Sequence, residues 1–248
     1  MFNRSANAVG REEIPPLYPA KTVCRYCERT YRTMRVRPSH KKSTEADSDF
    51  CMRFTGVNPD YYVVRVCPYC GYSMTDHFSK KPLTERQRVM FEEKIGRSWN
   101  KLDLTGERTI NEAMFAYKLA LVCAQASDET DRVLAGILHH IAWLYRLMED
   151  EANEKRFLAH ALDAYMRVFE YEGLDYNNAK LMYLIGELNR RLGQYNEAVR
   201  WFSRVVNDNR IVDAAMIRKS REQWQLVREE MQRLKLQPEL PGDEIKGA

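Results

Sequence analysis

This chain of 248 residues has no apolar run near the ~18 residues that a membrane-crossing helix needs, so a helical membrane span is not expected. Its first twenty residues carry charges and Pro15-Pro16 where a secretory leader would carry an apolar core; the expected setting is the cytoplasm. No glycine-rich phosphate loop occurs anywhere. Histidines are few, five in all. His139 and His140 are neighbours on one helix, about 100° apart around its axis, and do not converge on one ligand; His77 and His160 stand alone. With no grouping of nucleophile, base and acid, the expectation is a protein that is not an enzyme.

Cysteine, by contrast, is well represented, and in a reducing compartment six cysteines argue for metal ligation before disulfides. Four form two Cys-x-x-Cys pairs, Cys24-Arg25-Tyr26-Cys27 and Cys67-Pro68-Tyr69-Cys70-Gly71, with 39 residues between them. Two residues between cysteines let the backbone fold over a metal and aim both sulfurs at one point. Two such pairs supply the four thiolates of a tetrahedral structural Zn²⁺, so Cys24, Cys27, Cys67 and Cys70 are the expected ligands. Cys67-Pro68-Tyr69-Cys70 is also spelled like a thiol–disulfide oxidoreductase motif, which would sit at a helix N-terminus within a βαβ unit. Here it follows the strand-like Tyr61–Val66 and precedes Gly71-Tyr72-Ser73, a strand–turn–strand pattern. Cys51 is expected to be a structural loop cysteine, although it could replace a ligand or join Asp47, Asp49 and His40 in a second, weak metal site. Cys123, among Leu119, Leu121 and Val122, reads as core packing.

Charge is unevenly placed. Residues 1–80 hold 13 Lys+Arg against 8 Asp+Glu, whereas residues 81–248 hold 26 against 27. Four thiolates around one Zn²⁺ carry a net −2, which trims the basic excess of the cysteine-bearing segment to a mild one. Arg25, Arg29, Arg32, Arg35 and Arg37, interleaved with Tyr26 and Tyr31, nevertheless keep a nucleic-acid contact open as an alternative function.

The chain changes character near residue 80. Before it, short β-like runs (Thr22-Val23, Thr30–Val36) alternate with turns, Pro38–Asp49 reads as a polar loop and Gly56–Asp60 as a turn. After it, Thr84-Glu85-Arg86-Gln87 spells a capping box opening a helix that ends near Gly96. Six further helices are predicted over 107–125, 129–149, 153–171, 178–192, 195–207 and 212–234. Within them Met182-x-x-Ile185-Gly186-x-x-Asn189, Gly193-x-Tyr195 and Ala198-x-x-x-Phe202-x-x-Val205 follow the tetratricopeptide pattern, and a looser copy runs from Leu138 to Val168. The expected architecture is multidomain: a zinc-ribbon β module with a flexible N-terminus over 1–80, an all-α tetratricopeptide-like superhelix over 81–237, and a disordered tail over 238–248.

In such a superhelix the first helix of each hairpin lines a concave groove that binds peptides or helices. That alignment places His139, Trp143 and Arg146 from one repeat, and Lys180, Tyr183, Glu187 and Arg190 from the next, on the groove. Trp143 and Tyr183 would be aromatic anchors, and Arg146, Lys180 and Arg190 would favour an acidic segment. The expected function is a cytoplasmic zinc-binding adaptor with a protein or peptide partner.

The string Cys24/Cys27, Ser48-Asp49-Phe50-Cys51, Gly56-Val57-Asn58-Pro59, Cys67-Pro68-Tyr69-Cys70-Gly71-Tyr72 and Leu181–Asp208 resembles a bacterial family known as a domain of unknown function. The resemblance covers roughly residues 20–235. It implies a zinc-ribbon-like N-terminus ahead of tetratricopeptide-like helices and a bacterial cytoplasmic setting, and it implies no activity.

Overall fold

The structure, a computed structural model, describes residues 14–172 and 178–236. The N-terminal stretch expected to be flexible lies partly, and the tail over 238–248 wholly, outside the described residues.

Among the described residues three two-stranded antiparallel sheets come first. β1 (Leu17–Val23) pairs with β2 (Thr30–Val36), from Leu17 opposite Val36 to Val23 opposite Thr30. β3 (Ser43–Ala46) pairs with β4 (Met52–Phe54), and β5 (Arg65–Val66) with β6 (Ser73–Met74). The alternation of β2 is as its sequence predicts, with Tyr31 and Thr33 buried and Arg32 exposed. Two readings are corrected. The polar loop over 38–49 contains β3 and, with β4, makes a hairpin; β3 is exposed on both faces and so carries no alternation to read. The run Tyr61–Val66 is strand only at Arg65–Val66. Tyr61 and Tyr62 belong to a 3-10 turn over Pro59–Tyr62, opened by Pro59 and by Asn58, whose side chain accepts from the Asp60 amide.

Seven α-helices follow among the described residues: α1 (Glu85–Lys94), α2 (Ile110–Ala126), α3 (Asp131–Leu147), α4 (Glu151–Glu172), α5 (Ala179–Arg191), α6 (Tyr195–Asn207) and α7 (Ala214–Arg233). Local chemistry sets their ends. Thr84 with Gln87, and Thr109 with Glu112, form reciprocal capping boxes, satisfying amide donors that a helix start leaves open. α5 stops at Gly193, which takes φ +77°, and the Gln194 amide donates back to the Asn189 carbonyl.

Two buried clusters organise these elements. The first joins Cys24, Tyr31, Val66, Cys67, Tyr72 and Phe78 of the β-rich segment to Phe91, Tyr117, Cys123 and Ile141 of α1–α3. The change of secondary structure near residue 80 is therefore not a boundary in the core. Arg108, buried ahead of α2, stitches this junction by donating to the carbonyls of Leu104, Tyr61 and Val64. The second cluster gathers Leu158, Tyr183, Ile185, Leu188, Phe202, Val205 and Val227 from α4–α7.

In that second cluster α5 and α6 approach closely at Gly186, where an added Cβ would stand 2.8 Å from the Phe202 ring. Overpacking of that kind costs about 1–3 kcal/mol; the better helix propensity of Ala returns only about 1 kcal/mol. Gly186→Ala is therefore expected to lower the urea midpoint. Adding Phe202→Leu should remove the clash and leave only the cost of the lost ring. Equal costs of the Phe202 change in both backgrounds would contradict this account.

Candidate metal centre and the occupied face of α3 and α5

Each Cys-x-x-Cys pair sits at the tip of a hairpin, one between β1 and β2, the other between β5 and β6. The two tips have the same backbone fold. The Glu28 amide donates to the Cys24 carbonyl (3.0 Å) and the Gly71 amide to the Cys67 carbonyl (2.9 Å). One residue further on, the Cys24 amide donates to Arg29 and the Cys67 amide to Tyr72, both at 3.0 Å. Glu28 and Gly71 both take positive φ, +59° and +77°.

This shared geometry brings the four Sγ atoms within 4.8 Å of one another, with Cys24–Cys70 at 3.6 Å and Cys27–Cys67 at 3.7 Å. A tetrahedral centre with metal–sulfur bonds of ~2.3 Å has an S–S edge of ~3.8 Å, so the spacing fits four thiolates on one ion. All six cysteines are free thiols. Without a cation the cluster titrates as neighbours that cannot all ionise. Hydrogen bonds from Cys24 and Cys70 hold the Cys67 thiol down to about 2. The bond to Cys67 pushes Cys24 up to about 12, and bonds with Cys24 and Cys67 push Cys70 up as well. A bound cation would stabilise the remaining thiolates.

The helices carry these tips. Arg25 donates to a buried Glu129 carboxylate (2.6 Å) and to the Tyr72 hydroxyl (3.2 Å), and Glu129 also accepts the Ser79 amide (2.8 Å). Tyr26 packs on Phe91, with ring centroids 4.4 Å apart. Gly71 lies under Trp99, whose indole N–H donates to the Pro68 carbonyl (3.1 Å); a Cβ on Gly71 would stand 2.5 Å from that ring.

The matching positions 28 and 71 give a paired prediction. Gly71→Ala meets both the left-handed backbone and the ring, costing about 2–4 kcal/mol. Glu28→Gly only relieves backbone strain and should stabilise by up to about 1 kcal/mol. Urea midpoints moving in the same direction for the two variants would refute this.

The chain continues from Gly71 into β6, not into a helix, so the helix N-terminus that a Cys67/Cys70 redox pair would use is not there. Cys123 is buried and its Sγ accepts the Ser73 amide, tying α2 to β6. Cys51 is buried away from the cluster, and burial pushes its thiol up to about 12. His40 lies in an exposed turn beside Ser39, while Asp47 and Asp49 face arginine, so the second metal site considered for them does not form. The five arginines of the basic segment are largely committed within the molecule. Arg25 pairs with Glu129, Arg35 with Asp76, Arg37 donates to the Pro15 carbonyl and Arg29 lies over Tyr69; Arg32 is exposed. Tyr26 and Tyr31 pack into the first cluster and offer no stacking platform.

The residues expected to line an open groove do come together, around a segment of the same chain. The tip of the β3–β4 hairpin, Asp47–Cys51, stands against one face of α3 and α5. Asp49, 0% exposed, accepts from His139 Nε2 (3.3 Å), Trp143 Nε1 (3.0 Å) and both terminal nitrogens of Arg146 (2.9 and 2.7 Å). Arg146 also reaches Asp47 and Glu154, each at 2.7 Å. From α5, the Tyr183 hydroxyl donates to the Ser48 carbonyl (2.8 Å), Glu187 accepts the Ser48 hydroxyl, and Arg191 donates to Ser48 Oγ (3.1 Å). Phe50 packs on the Tyr183 ring at 5.5 Å, beneath the Lys180 ammonium at 4.9 Å.

Burial alone would raise the Asp49 carboxyl, but the bonds from His139 and Arg146 outweigh it and hold Asp49 well below the usual range. Burial lowers His139, which is therefore a neutral imidazole donating to an ionised Asp49. Of the seven predicted groove residues only Arg190 stays off the hairpin, pairing instead with Glu187 and Glu230. Arg191 and the occupying Ser48-Asp49-Phe50 are the participants that helical periodicity did not point to.

Paired cysteine knuckles able to hold one metal ion, carried by small β-hairpins and backed by an array of helices, define the class of protein. The chain belongs to the bacterial family DUF2225, described as uncharacterized protein conserved in bacteria, whose match covers residues 17–227. That span runs from the first residue of β1 into α7 and so takes in the knuckles, the hairpin and the face that holds it. No curated protein matches the chain. None of the described helices is long and apolar enough to cross a membrane.

Proposed function

We propose that the protein is a non-enzymatic cytoplasmic adaptor. Cys24, Cys27, Cys67 and Cys70 hold a structural Zn²⁺, and helix pairs arranged in the tetratricopeptide manner present the α3–α5 face to a segment of a partner protein. Zinc is the ion favoured by an all-thiolate donor set with S–S spacings near a tetrahedral edge. The observation that carries the binding role is that this face already grips a length of polypeptide. It does so through a main-chain carbonyl (Ser48), a carboxylate (Asp49) and an aromatic ring (Phe50), which are the groups a peptide offers.

Two measurements test this. Metal analysis of the purified chain should return one zinc per molecule, and none from a Cys67→Ser/Cys70→Ser variant. A photo-crosslinking amino acid at position 180, beside the occupied face, should join discrete partner chains in bacterial cells. The same probe at position 226, on the exposed side of α7, should not. Crosslinks equally sparse at both positions would sink the adaptor role.

A further inference from the structure

The β3–β4 hairpin is held almost entirely by its tip. Every residue of β3 is exposed, β4 is at most half-buried, and the two strands pair only with each other. An isolated two-stranded hairpin is marginal in water. Its base is closed by the Thr55 amide on the Lys42 carbonyl, and the chain leaves it through Gly56, at φ +87° with open space around it. The tip, in contrast, buries a carboxylate and seats Phe50 at φ +67°, a left-handed conformation that costs an aromatic residue roughly 1–2 kcal/mol. A strained turn, tightly held at the end of an otherwise uncommitted arm beside an unencumbered glycine, is how a tethered ligand is built.

We propose that Ser48-Asp49-Phe50 is an internal stand-in for a partner segment of the same chemistry, an acidic residue followed directly by an aromatic one in a turn, and that such a segment displaces the hairpin. This deepens the adaptor reading and rests on it. His139, Trp143, Arg146 and Arg191 select the carboxylate, Tyr183 reads the preceding main-chain carbonyl, and Tyr183 with Lys180 holds the ring. The basic and aromatic character of this pocket disfavours a basic or purely aliphatic segment. Because the tethered tip competes at high effective concentration, an outside segment binds the intact protein more weakly than the face alone would allow.

The probe is a fluorescent peptide copying residues 45–53, with serine at the position of Cys51. It is titrated against the metal-loaded full chain and against a chain whose own arm carries Asp49→Ala and Phe50→Ala. The peptide should bind the variant about tenfold or more tightly than it binds the unaltered protein. The same peptide with its Asp49 counterpart changed to alanine should not bind either. Hydrogen exchange on the unaltered chain gives an independent reading if the variant does not fold. The arm amides of Asp47, Phe50 and Thr55, all hydrogen-bonded, should exchange faster than those of α5, and faster still with peptide present.

A folded variant that ignores the peptide overturns the proposal, as do arm amides that open only with the core; the hairpin would then be a permanent strut. The two readings fail separately. Peptide binding without crosslinked partners removes the adaptor role and keeps the exchangeable arm; crosslinked partners with an arm as protected as α5 do the reverse.

Discussion

Removing the metal ion proposed for Cys24, Cys27, Cys67 and Cys70 is expected to unfold the β-rich segment and take α1 and α2 with it, while α5 and α6 keep their hydrogen-exchange protection. Structural zinc in small cysteine sites contributes on the order of 10 kcal/mol, comparable to the ~5–15 kcal/mol that separates a whole domain from its unfolded state. The three small sheets have little to replace it: two of their six strands are two residues long, and β3 is exposed throughout. The damage should spread because Cys24, Val66, Cys67 and Tyr72 share a cluster with Phe91, Tyr117 and Cys123. Once the knuckles come apart, Phe91 loses the rings of Tyr26 and Tyr72, and the Arg25–Glu129 pair opens. The second cluster, Ala142 through Met231, contains no knuckle residue. Chelation followed by exchange mass spectrometry should therefore show two classes of helix, and Cys67→Ser should reproduce the pattern with chelator absent. Cys51→Ser and Cys123→Ser, which remove buried thiols outside the cluster, should retain one metal ion per chain. A metal-free protein with an unchanged cooperative transition would refute this, and so would one that lost all helices together.

How much of this was legible in the sequence follows from how far apart the deciding residues lie. The knuckles are local devices: cysteine spacing, helped in the second by Gly71 at positive φ, specifies each tip within six positions. The helices were equally readable, because their boundaries depend on caps such as Thr84/Gln87 and Thr109/Glu112 and on a 3.6-residue apolar period. Six of the seven residues that the repeat alignment assigned to a groove meet one hairpin tip of the same chain, so the alignment grouped residues that the fold brings together. What stayed hidden was the occupant. β3 alternates in nothing, being exposed on both sides, and Asp49 meets Arg146 across 97 positions of chain. A hint did exist in Ser48-Asp49-Phe50-Cys51, where a carboxylate and an aromatic interrupt a polar stretch. Its charge left a weak metal site open as an alternative because no sequence pattern ties it to an arginine a helix array away.

That distant pairing is where the largest effect of a single charge is expected. Arg146→Ala should destabilise by about 3–5 kcal/mol, because it leaves Asp49 ionised, fully buried and short of its main partner. An exposed ion pair would cost at most about 1 kcal/mol, so the magnitude alone separates a sealed socket from a loose surface contact. Arg146→Lys should recover only part of the loss, since a single ammonium cannot reproduce a fork that bonds Asp47, Asp49 and Glu154 together. Removing both charges at once, Arg146→Met with Asp49→Leu, should cost clearly less than the sum of the two single changes. The same network fixes the sign of a pH effect. His139 is lowered in the folded protein, so between its folded value and ~6.5 the unfolded chain binds the extra proton and stability falls as pH falls. Asp49, also lowered, adds a loss in the same direction further down, as pH drops through ~4 and below. His139→Gln, which keeps a donor for Asp49 without a titrating ring, should flatten the upper part of that profile and leave the lower part in place. Denaturation midpoints between pH 5 and 8 that were identical for the two proteins would show that the imidazole does not sit neutral against an ionised Asp49.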